Sequence, residues 1–172
     1  MVALVVIQVA LIAVCDRVDR TRQQARLSVS MERRSEAAPD LTVEQIDGSK
    51  LQVSARSGRF RLVHFWATWC PPCRGELPAL FEMAQQNRRR LSVLAISTDS
   101  DWRAVRRFLG GRVPALVVRD PGGAGAEAFK VTDLPDSYLV GPDGRIRARF
   151  FGAQDWTSEK MDKILDQLIV GS

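Results

Sequence analysis

Two cysteines separated by two prolines, Cys70-Pro71-Pro72-Cys73, are the residues of this chain whose types and spacing best predict chemistry. An apolar run ends just before them and a helical pattern begins, so Cys70 is expected at a helix N-terminus. There, unpaired backbone N–H groups and the helix dipole favour a thiolate. Proline suits the first helical turn, where the N–H that it lacks has no intrahelical acceptor. Cys73 follows about one turn later, within reach of a mixed disulfide at Cys70, and the motif predicts reversible thiol–disulfide exchange.

The hydrophobic pattern predicts the elements that position these two thiols. Segments 41–46 and 51–53 flank Asp47-Gly48, which indicates a β-hairpin. The remaining predicted elements are strands 61–66, 91–97 and 115–118, each followed by a helix, then a hairpin of 137–140 with 145–151, and a closing helix that carries Met161, Ile164, Leu165 and Leu168 on one stripe. Parallel strands joined by helices and followed by an antiparallel pair predict an α/β domain.

Composition narrows the class of protein. A hydrophobic fraction of 45% and a charged fraction of 26% over 172 residues are typical of a globular domain with an extension. The net charge of +5 would suit nucleic acid, but the aromatic residues fall inside strand and helix patterns and form no stacking platform, so no nucleic-acid partner is expected. Three cysteines exclude a disulfide-stapled scaffold, and a single histidine, His64, leaves no second ligand pair for zinc. No metal or cofactor is expected.

The first 15 residues differ from the rest of the chain. Residues 1–14 are apolar except for Gln8, and as a helix they would rise about 21 Å, short of the ~30 Å hydrocarbon core. That length suits the apolar region of a secretory signal, although the basic region before it is missing. A short apolar extension packed on the domain is the alternative. We therefore assign 1–15 to a signal or anchor, 16–40 to a polar linker and 41–172 to the folded domain.

An apolar start of this kind predicts export, an extracytoplasmic domain and contact with the membrane. Arg17, Arg20, Arg22 and Arg26 directly follow the segment and oppose that orientation, since positive charges favour the cytoplasmic side. Cys15 stands where the lipidated cysteine of a bacterial lipoprotein would stand, but Val14 is larger than the small residue usual before it.

Two stretches carry a resemblance to a known family. Residues 65–78 are FWATWCPPCRGELP, and residues 134–144 are LPDSYLVGPDG. The first resembles the active-site signature of the TlpA/ResA-type thioredoxin-like proteins, and the second resembles the segment of that family that carries a cis proline. Two motifs in the right order are far more specific than CxxC alone. Over roughly 41–170, the resemblance implies a thioredoxin-like α/β fold, a central mixed sheet flanked by helices, with an N-terminal β-hairpin.

The resemblance also implies the roles of single residues. Cys70 and Cys73 would form the redox-active disulfide, with Cys70 attacking and Cys73 resolving. Pro135 would be cis and would hold the Leu134 backbone beside Cys70, where a substrate strand can pair with it. The alternative is an ordinary turn proline, although a cis X–Pro bond costs only about 0.5–1 kcal/mol and is easily selected by tertiary context. The expected substrate-binding surface consists of Trp69, Pro71, Pro72 and Leu134.

Two further residues are candidates for managing the proton that Cys73 must lose. Glu76 lies three residues after Cys73, on the same helix face. In ResA-like relatives an acid here tunes the cysteines; the alternative is an early-helix acid stabilised by the dipole. His64 stands six residues before Cys70, where thioredoxins carry a buried acid, and it could accept the Cys73 proton near neutral pH. Its alternative is a neutral core histidine satisfied by the backbone.

The leading interpretation is a membrane-tethered, extracytoplasmic reductant of protein disulfides. Apocytochrome c is one client class that the resemblance implies, and a membrane thiol donor would restore the dithiol. A disulfide-forming oxidase would use the same residues and differ only in potential. A copper carrier using Cys70, Cys73 and His64 is a third reading, although such carriers on this fold usually have three residues between the cysteines and a distant histidine.

Overall fold

A computed structural model describes residues 29–171 of the chain. The predicted signal or anchor segment, Cys15 and the first part of the predicted linker lie outside the described residues. None of the helices within residues 29–171 is long and apolar enough to cross a membrane.

Eight strands and four helices make up the described part of the chain. In chain order they are β1 (Met31–Arg33), β2 (Leu41–Glu44), β3 (Lys50–Val53), β4 (Phe60–Trp66), α1 (Pro71–Gln86), β5 (Leu91–Ser97), α2 (Trp102–Phe108), β6 (Val117–Arg119), α3 (Ala124–Ala128), β7 (Asp136–Val140), β8 (Ile146–Phe151) and α4 (Glu159–Val170). The strands form one mixed sheet in the order β1-β8-β7-β4-β5-β6-β2-β3. β4, β5 and β6 are parallel to one another, and the other neighbouring pairs are antiparallel. The predicted α/β fold with its N-terminal hairpin is confirmed.

Strand β4 is buried on both faces of the sheet, which explains its nearly continuous apolar sequence. Leu62 and Trp66 belong to a core that also includes the inner residues of α1 and α4. Val63 and Phe65 point to the opposite face, where the core includes Phe129 at the end of α3. Because side chains alternate along a strand, His64 lies on the same face as Leu62 and Trp66. That face carries α1, and with it both cysteines.

The boundary predicted at Leu41 is wrong, because the sheet begins earlier. Met31–Arg33 pairs antiparallel with Ala148–Phe150 of β8, and Ala37 forms a further bridge with Arg145. Residues 31–40, predicted as part of a polar linker, therefore belong to the domain. Without β1 the outer edge of β8 would present unpaired N–H and C=O groups. A three-residue edge strand with largely exposed Glu32 and Arg33 has no apolar alternation to reveal it.

Candidate active site

The two cysteines lie where the chain passes from the loop after β4 into α1. Cys70 is the N-cap of α1, and Pro71 and Pro72 occupy its first two helical positions, as predicted. The backbone N–H of Cys73 donates to Cys70 Sγ at 3.3 Å, so one unpaired amide of the first turn points at this sulfur. A 2.03 Å S–S bond joins Cys70 to Cys73. The predicted disulfide is therefore formed, and the reactive sulfur stands at the positive end of a helix dipole.

The two thiols differ in their access to solvent. Cys70 is 4% exposed, whereas Cys73 is 0% exposed. The neighbouring Trp69 is 67% exposed, an unusual state for the largest apolar side chain. Cys70 is therefore the more accessible of the two sulfurs. The order of attack and resolution expected from the sequence stays a prediction.

The Leu134–Pro135 peptide bond is cis, as predicted. Pro135 immediately precedes β7, whose first residue, Asp136, pairs with Phe65 near the end of β4. Because β7 and β4 are antiparallel, the first residues of β7 lie beside the last residues of β4, and the loop to Cys70 begins at that end of the two strands. The topology thus brings together two motifs that are far apart in sequence.

A groove of about 330 Å³ opens beside the cis proline. Its lining residues are Thr132, Asp133, Pro135, Asp136, Arg149, Phe151 and Gly152. At its floor the Gly152 N–H donates to the Pro135 carbonyl at 3.0 Å, with Gly152 at a φ of 65°, in the left-handed region that favours glycine. This bond joins the cis-proline loop to the segment that follows β8.

An ion pair between the buried Asp136 and the partly buried Arg149, which was not predicted from the sequence, braces the start of β7. Arg149 Nη2 donates to Asp136 Oδ2 at 2.6 Å, and its Nε lies 3.0 Å from Oδ1. The Tyr138 hydroxyl lies 2.8 Å from the same Oδ2, and burial together with this carboxylate raises the pKa of Tyr138. The Arg149 guanidinium also lies over the Phe151 ring at 4.5 Å. Asp136 directly follows Pro135, which is the one local signal that could have indicated it.

A second missed carboxylate holds the loop that enters the cysteine motif. Asp99 accepts the Thr68 backbone N–H at 2.9 Å and the Thr68 hydroxyl at 2.6 Å. Ser97, at the end of β5, donates its hydroxyl to the same carboxylate at 2.7 Å. Thr68 stands two residues before Cys70, so the loop conformation is fixed from the neighbouring strand. Its signal in the sequence was only a polar residue after a predicted strand.

Glu76 is a buried acid, not a solvated residue of the first helical turn. Only 5% of the residue is exposed, and its Oε2 accepts the Gln154 backbone N–H at 2.8 Å and the Trp156 indole N–H at 2.9 Å. Burial raises the pKa of Glu76 from 4.5 to about 7, against the lowering effect of these two hydrogen bonds. An acid with this pKa can take or release a proton near neutral pH.

His64 is fully buried, and side chains rather than the backbone meet its ring nitrogens. Nδ1 lies 2.8 Å from Ser137 Oγ, on the residue that faces His64 across the β4–β7 pair. Nε2 lies 3.6 Å from Glu76 Oε1. Burial lowers the pKa of His64 from 6.5 to about 3, so the imidazole is neutral at physiological pH. His64 is therefore a neutral core histidine, as the alternative interpretation has it, but its partners are side chains and not the backbone. The lowered pKa opposes the predicted role of His64 as acceptor of the Cys73 proton near neutral pH.

The remaining predicted residues fall around this centre. Pro71 and Pro72 are exposed beside Trp69, and Leu134 is partly buried at the start of the cis bond. The residues between 29 and 171 contain no group of three or more His, Cys, Asp and Glu side chains arranged to hold a metal ion.

Comparisons with known proteins agree with this geometry. The chain is 27% identical over 135 residues to the thiol-disulfide oxidoreductase ResA of Bacillus thuringiensis, covering 76% of each chain. It is 31% identical over 124 residues to ResA of Oceanobacillus iheyensis, covering 69% of this chain and 65% of that one. A crystal structure of a putative thiol:disulfide interchange protein DsbE from Chlorobium tepidum superposes with a TM-score of 0.66 at 26% identity, covering 80% of this chain and 96% of the other.

The fold and the Cys70–Cys73 pair, together with these similarities, define a thioredoxin-like thiol–disulfide oxidoreductase of the ResA/DsbE type. The chain belongs to the AhpC/TSA family, whose family model matches residues 35–149. That match begins before Leu41, but after β1.

Proposed function

We propose that this protein is an extracytoplasmic reductant of specific protein disulfides. The observation that carries the proposal is the pairing of one nearly buried but reachable sulfur, Cys70, with one fully buried sulfur, Cys73, at a helix N-terminus. The apolar segment 1–14 supports export and a membrane tether. The name of the ResA relatives supports thiol–disulfide exchange as the chemistry.

The proposed reaction transfers two electrons to the client in two exchanges. The Cys70 thiolate attacks one sulfur of a client disulfide; that S–S bond breaks, a mixed disulfide forms, and the first client thiolate leaves. Cys73 then loses its proton and attacks Cys70 Sγ. The mixed disulfide breaks, the second client thiolate leaves, and the Cys70–Cys73 disulfide remains. A thiol donor in the membrane would return the two electrons to this disulfide.

Client binding is proposed to use the surface around the reactive sulfur. Trp69, Pro71 and Pro72 are neighbours of Cys70 in sequence and are exposed. An extended client segment would add as a short strand to the Leu134 backbone at the cis bond. Apocytochrome c, whose paired cysteines must be reduced before haem attachment, is the client class that we propose.

Glu76 is the proposed acceptor of the Cys73 proton. It follows Cys73 by one helical turn, it is buried with it, and its pKa of about 7 lies close to working pH. A carboxylate can take the thiol proton during resolution and release it when the next client binds. Burial otherwise disfavours the Cys73 thiolate, so the resolving step needs such a base.

The redox potential separates a reductant from the disulfide-forming oxidase. Equilibration of the protein with glutathione, followed by alkylation and separation of the two forms, is the measurement. A potential below about −250 mV supports the reductant, whereas one near the −120 mV of strong oxidants contradicts it.

Client capture tests both the substrate class and the compartment. The variant Cys73→Ala retains the attacking thiol but cannot resolve, so clients should stay covalently bound at Cys70. The double variant Cys70→Ala/Cys73→Ala is the matched control and should capture none. Recovery of exported proteins with paired cysteines supports the proposal, and recovery of cytosolic proteins alone contradicts the location.

A further inference from the structure

Two buried polar atoms face each other between β4 and α1, the helix that carries the cysteines. His64 Nε2 and Glu76 Oε1 are 3.6 Å apart, and neither has a hydrogen-bond partner among the described residues. The two side chains are 0% and 3% exposed. Unpaired buried polar atoms are costly, so this arrangement requires an explanation. A proton placed on either atom, with a shift of a few tenths of an ångström, would close a hydrogen bond between them.

The contacts of Glu76 decide which of its oxygens can carry a proton. Oε2 accepts two N–H groups, from Gln154 and Trp156, and neither donor can act as an acceptor in return. A proton on Oε2 would oppose both bonds. The acid form of Glu76 therefore carries its proton on Oε1, where it is directed at His64 Nε2.

The contacts of His64 couple its tautomer to that proton. When Glu76 is the acid, Nε2 must accept, so the ring proton sits on Nδ1 and is donated to Ser137 Oγ. When Glu76 is the carboxylate, Nε2 carries the proton and donates it to Oε1, while Ser137 donates its hydroxyl to Nδ1. A serine hydroxyl can serve in both arrangements because it rotates between donor and acceptor.

We infer that His64 is a positioning residue of the redox site which, with Ser137, determines whether Glu76 is held as the acid or as the carboxylate. His64 stays neutral throughout and takes up no net proton. Its tautomer changes in step with the proton on Glu76, and the change ends at Ser137, two residues beyond the cis proline. The inference extends the proposed role of Glu76 in accepting the Cys73 proton.

The other groups around the pair are consistent with this two-state arrangement. The Trp156 ring packs edge-on against His64 with centroids 6.3 Å apart. Besides Glu76, the buried titratable residue on α1 is Cys73, which titrates only in the dithiol form. Ser137 is the polar residue from β7, and the β5 residue opposite His64 is Ala95. On α4 the buried residues are apolar, namely Met161, Leu165 and Leu168. Asp136 alternates to the other face of β7, where its carboxylate is bound to Arg149.

Two substitutions of His64 separate its two nitrogens. The amide of asparagine lies near the position of Nδ1 and can keep the Ser137 bond, whereas the amide of glutamine extends to the position of Nε2 and can keep the Glu76 contact. His64→Asn therefore leaves Oε1 without a partner. The substitution removes the hydrogen bond of Oε1 with His64 from both forms of Glu76. The bond to the carboxylate is charge-assisted and therefore stronger than the bond made by the acid, so its loss destabilises the carboxylate more. The pKa of Glu76 should therefore rise by about one unit. His64→Gln should restore much of that shift.

Ser137→Ala should shift the same pKa in the opposite direction. Without the hydroxyl, an Nδ1–H would be a buried donor with no partner, which is worse than an unpaired acceptor. The ring proton then stays on Nε2, where it stabilises the carboxylate and lowers the pKa of Glu76. Ser92→Ala is the matched control, because Ser92 also bonds within the sheet, to the Phe60 carbonyl at 3.2 Å, but away from the pair.

The measurement is the infrared carboxylic C=O band of the disulfide form, followed against pH and assigned by its loss in Glu76→Gln. In parallel, the dithiol form is mixed with an aromatic disulfide: attack by Cys70 releases the first aromatic thiol, and resolution by Cys73 releases the second. The pH midpoint of the second phase should move with the infrared midpoint in each variant. Opposite shifts for His64→Asn and Ser137→Ala, with recovery in His64→Gln, support the inference.

Unchanged infrared midpoints in folded His64→Asn and Ser137→Ala, or shifts of the same sign, overturn it. If His64→Asn does not fold, the sign of the Ser137→Ala shift decides alone, since alanine keeps the space of serine nearly filled. The infrared result in the disulfide form depends neither on a client nor on the direction of electron flow. It therefore fails or succeeds independently of the proposed function.

Discussion

Two buried carboxylates lie on opposite faces of the sheet, and they are paired in different ways. Asp136 is 1% exposed and binds the Arg149 guanidinium with both oxygens. Glu76 is 5% exposed and is surrounded by neutral N–H groups and a neutral imidazole. Asp136 is paired with a full positive charge, whereas the printed contacts of Glu76 are neutral and burial raises its pKa to about 7. The Asp136–Arg149 pair holds the start of β7, and Glu76 can take or release a proton near neutral pH.

The largest expected effect comes from removing the cation of the braced pair. Arg149→Met leaves Asp136 buried without its charge partner and should lower the free energy of unfolding by about 3–5 kcal/mol. Urea denaturation of the disulfide form measures it. The control is Arg147→Met, whose partner Asp143 is 49% exposed, with an expected loss below about 1 kcal/mol. Equal losses of stability in both variants would show that the Asp136–Arg149 pair contributes no more than an exposed ion pair.

The next effect tests the titrating carboxylate through the pH dependence of stability. Burial raises the pKa of Glu76 from 4.5 to about 7, so between these values the folded chain binds more protons than the unfolded chain. This term therefore makes stability fall as pH rises through that window. Relative to the wild type, Glu76→Gln should gain about 3 kcal/mol between pH 4.5 and 8.

The free energy of unfolding of Glu76→Gln must be compared with that of the wild type at each pH, because His64 contributes an opposing pH dependence. Burial lowers the pKa of His64 from 6.5 to about 3, so its own term makes stability fall as pH drops through that range. The slopes of Glu76 and His64 are opposed between pH 4.5 and 6.5 and largely cancel in the wild type. Glu82→Gln, on an exposed part of the same helix, is the control and should change stability by less than about 0.5 kcal/mol at every pH. A flat Glu76→Gln difference would contradict the raised pKa.

A smaller effect is expected from removing one neutral donor from the titrating carboxylate. Trp156→Phe keeps an aromatic ring but loses the indole N–H that Glu76 Oε2 accepts at 2.9 Å. Since that bond favours the carboxylate, the pKa of Glu76 should rise by about one unit, and the infrared band of the acid should persist to higher pH. A midpoint that falls instead would mean that the indole favours the acid.

The smallest effect is expected from the equivalent change at the braced carboxylate. Tyr138→Phe removes a hydroxyl that lies 2.8 Å from Asp136 Oδ2 and 2.8 Å from the Phe129 carbonyl. Arg149 still satisfies both Asp136 oxygens, so the loss of stability should be about 1 kcal/mol. Thermal unfolding checks it, and a loss as large as that of Arg149→Met would show that the Tyr138 hydroxyl is as important to Asp136 as its cation.

The features that could be predicted from the sequence belong mostly to short local motifs. Cys70, Cys73 and Pro135 each belong to a short stretch whose residue order is itself informative, and their helix N-terminus and cis bond are confirmed. β1 escaped prediction because three residues at a sheet edge, with Glu32 and Arg33 largely exposed, show no hydrophobic period. A strand held mainly by backbone pairing leaves little trace in side-chain types.

The polar partners of the site could not be predicted for a different reason. Gln154 and Trp156 lie 78 and 80 residues after the Glu76 that they bind, and Ser137 lies 73 residues after His64. These contacts depend on the register of β4 against β7 and on the path of the chain after β8. Glu76 and His64 could be selected as candidates by their spacing from the cysteines, but their contact with each other became evident only in three dimensions.

The hydrogen bond from Gly152 to the Pro135 carbonyl has a consequence for protein engineering. Residues 152–156 run from that bond to the donors of Glu76, so this short segment joins the proposed client-binding surface to the buried carboxyl group of Glu76. The length of this segment can be changed by insertion. Inserting one glycine after Gly152 would leave both cysteines and the cis proline in place while loosening the seating of Gln154 and Trp156 on Glu76. Such a chain would separate the timing of client capture from that of client release.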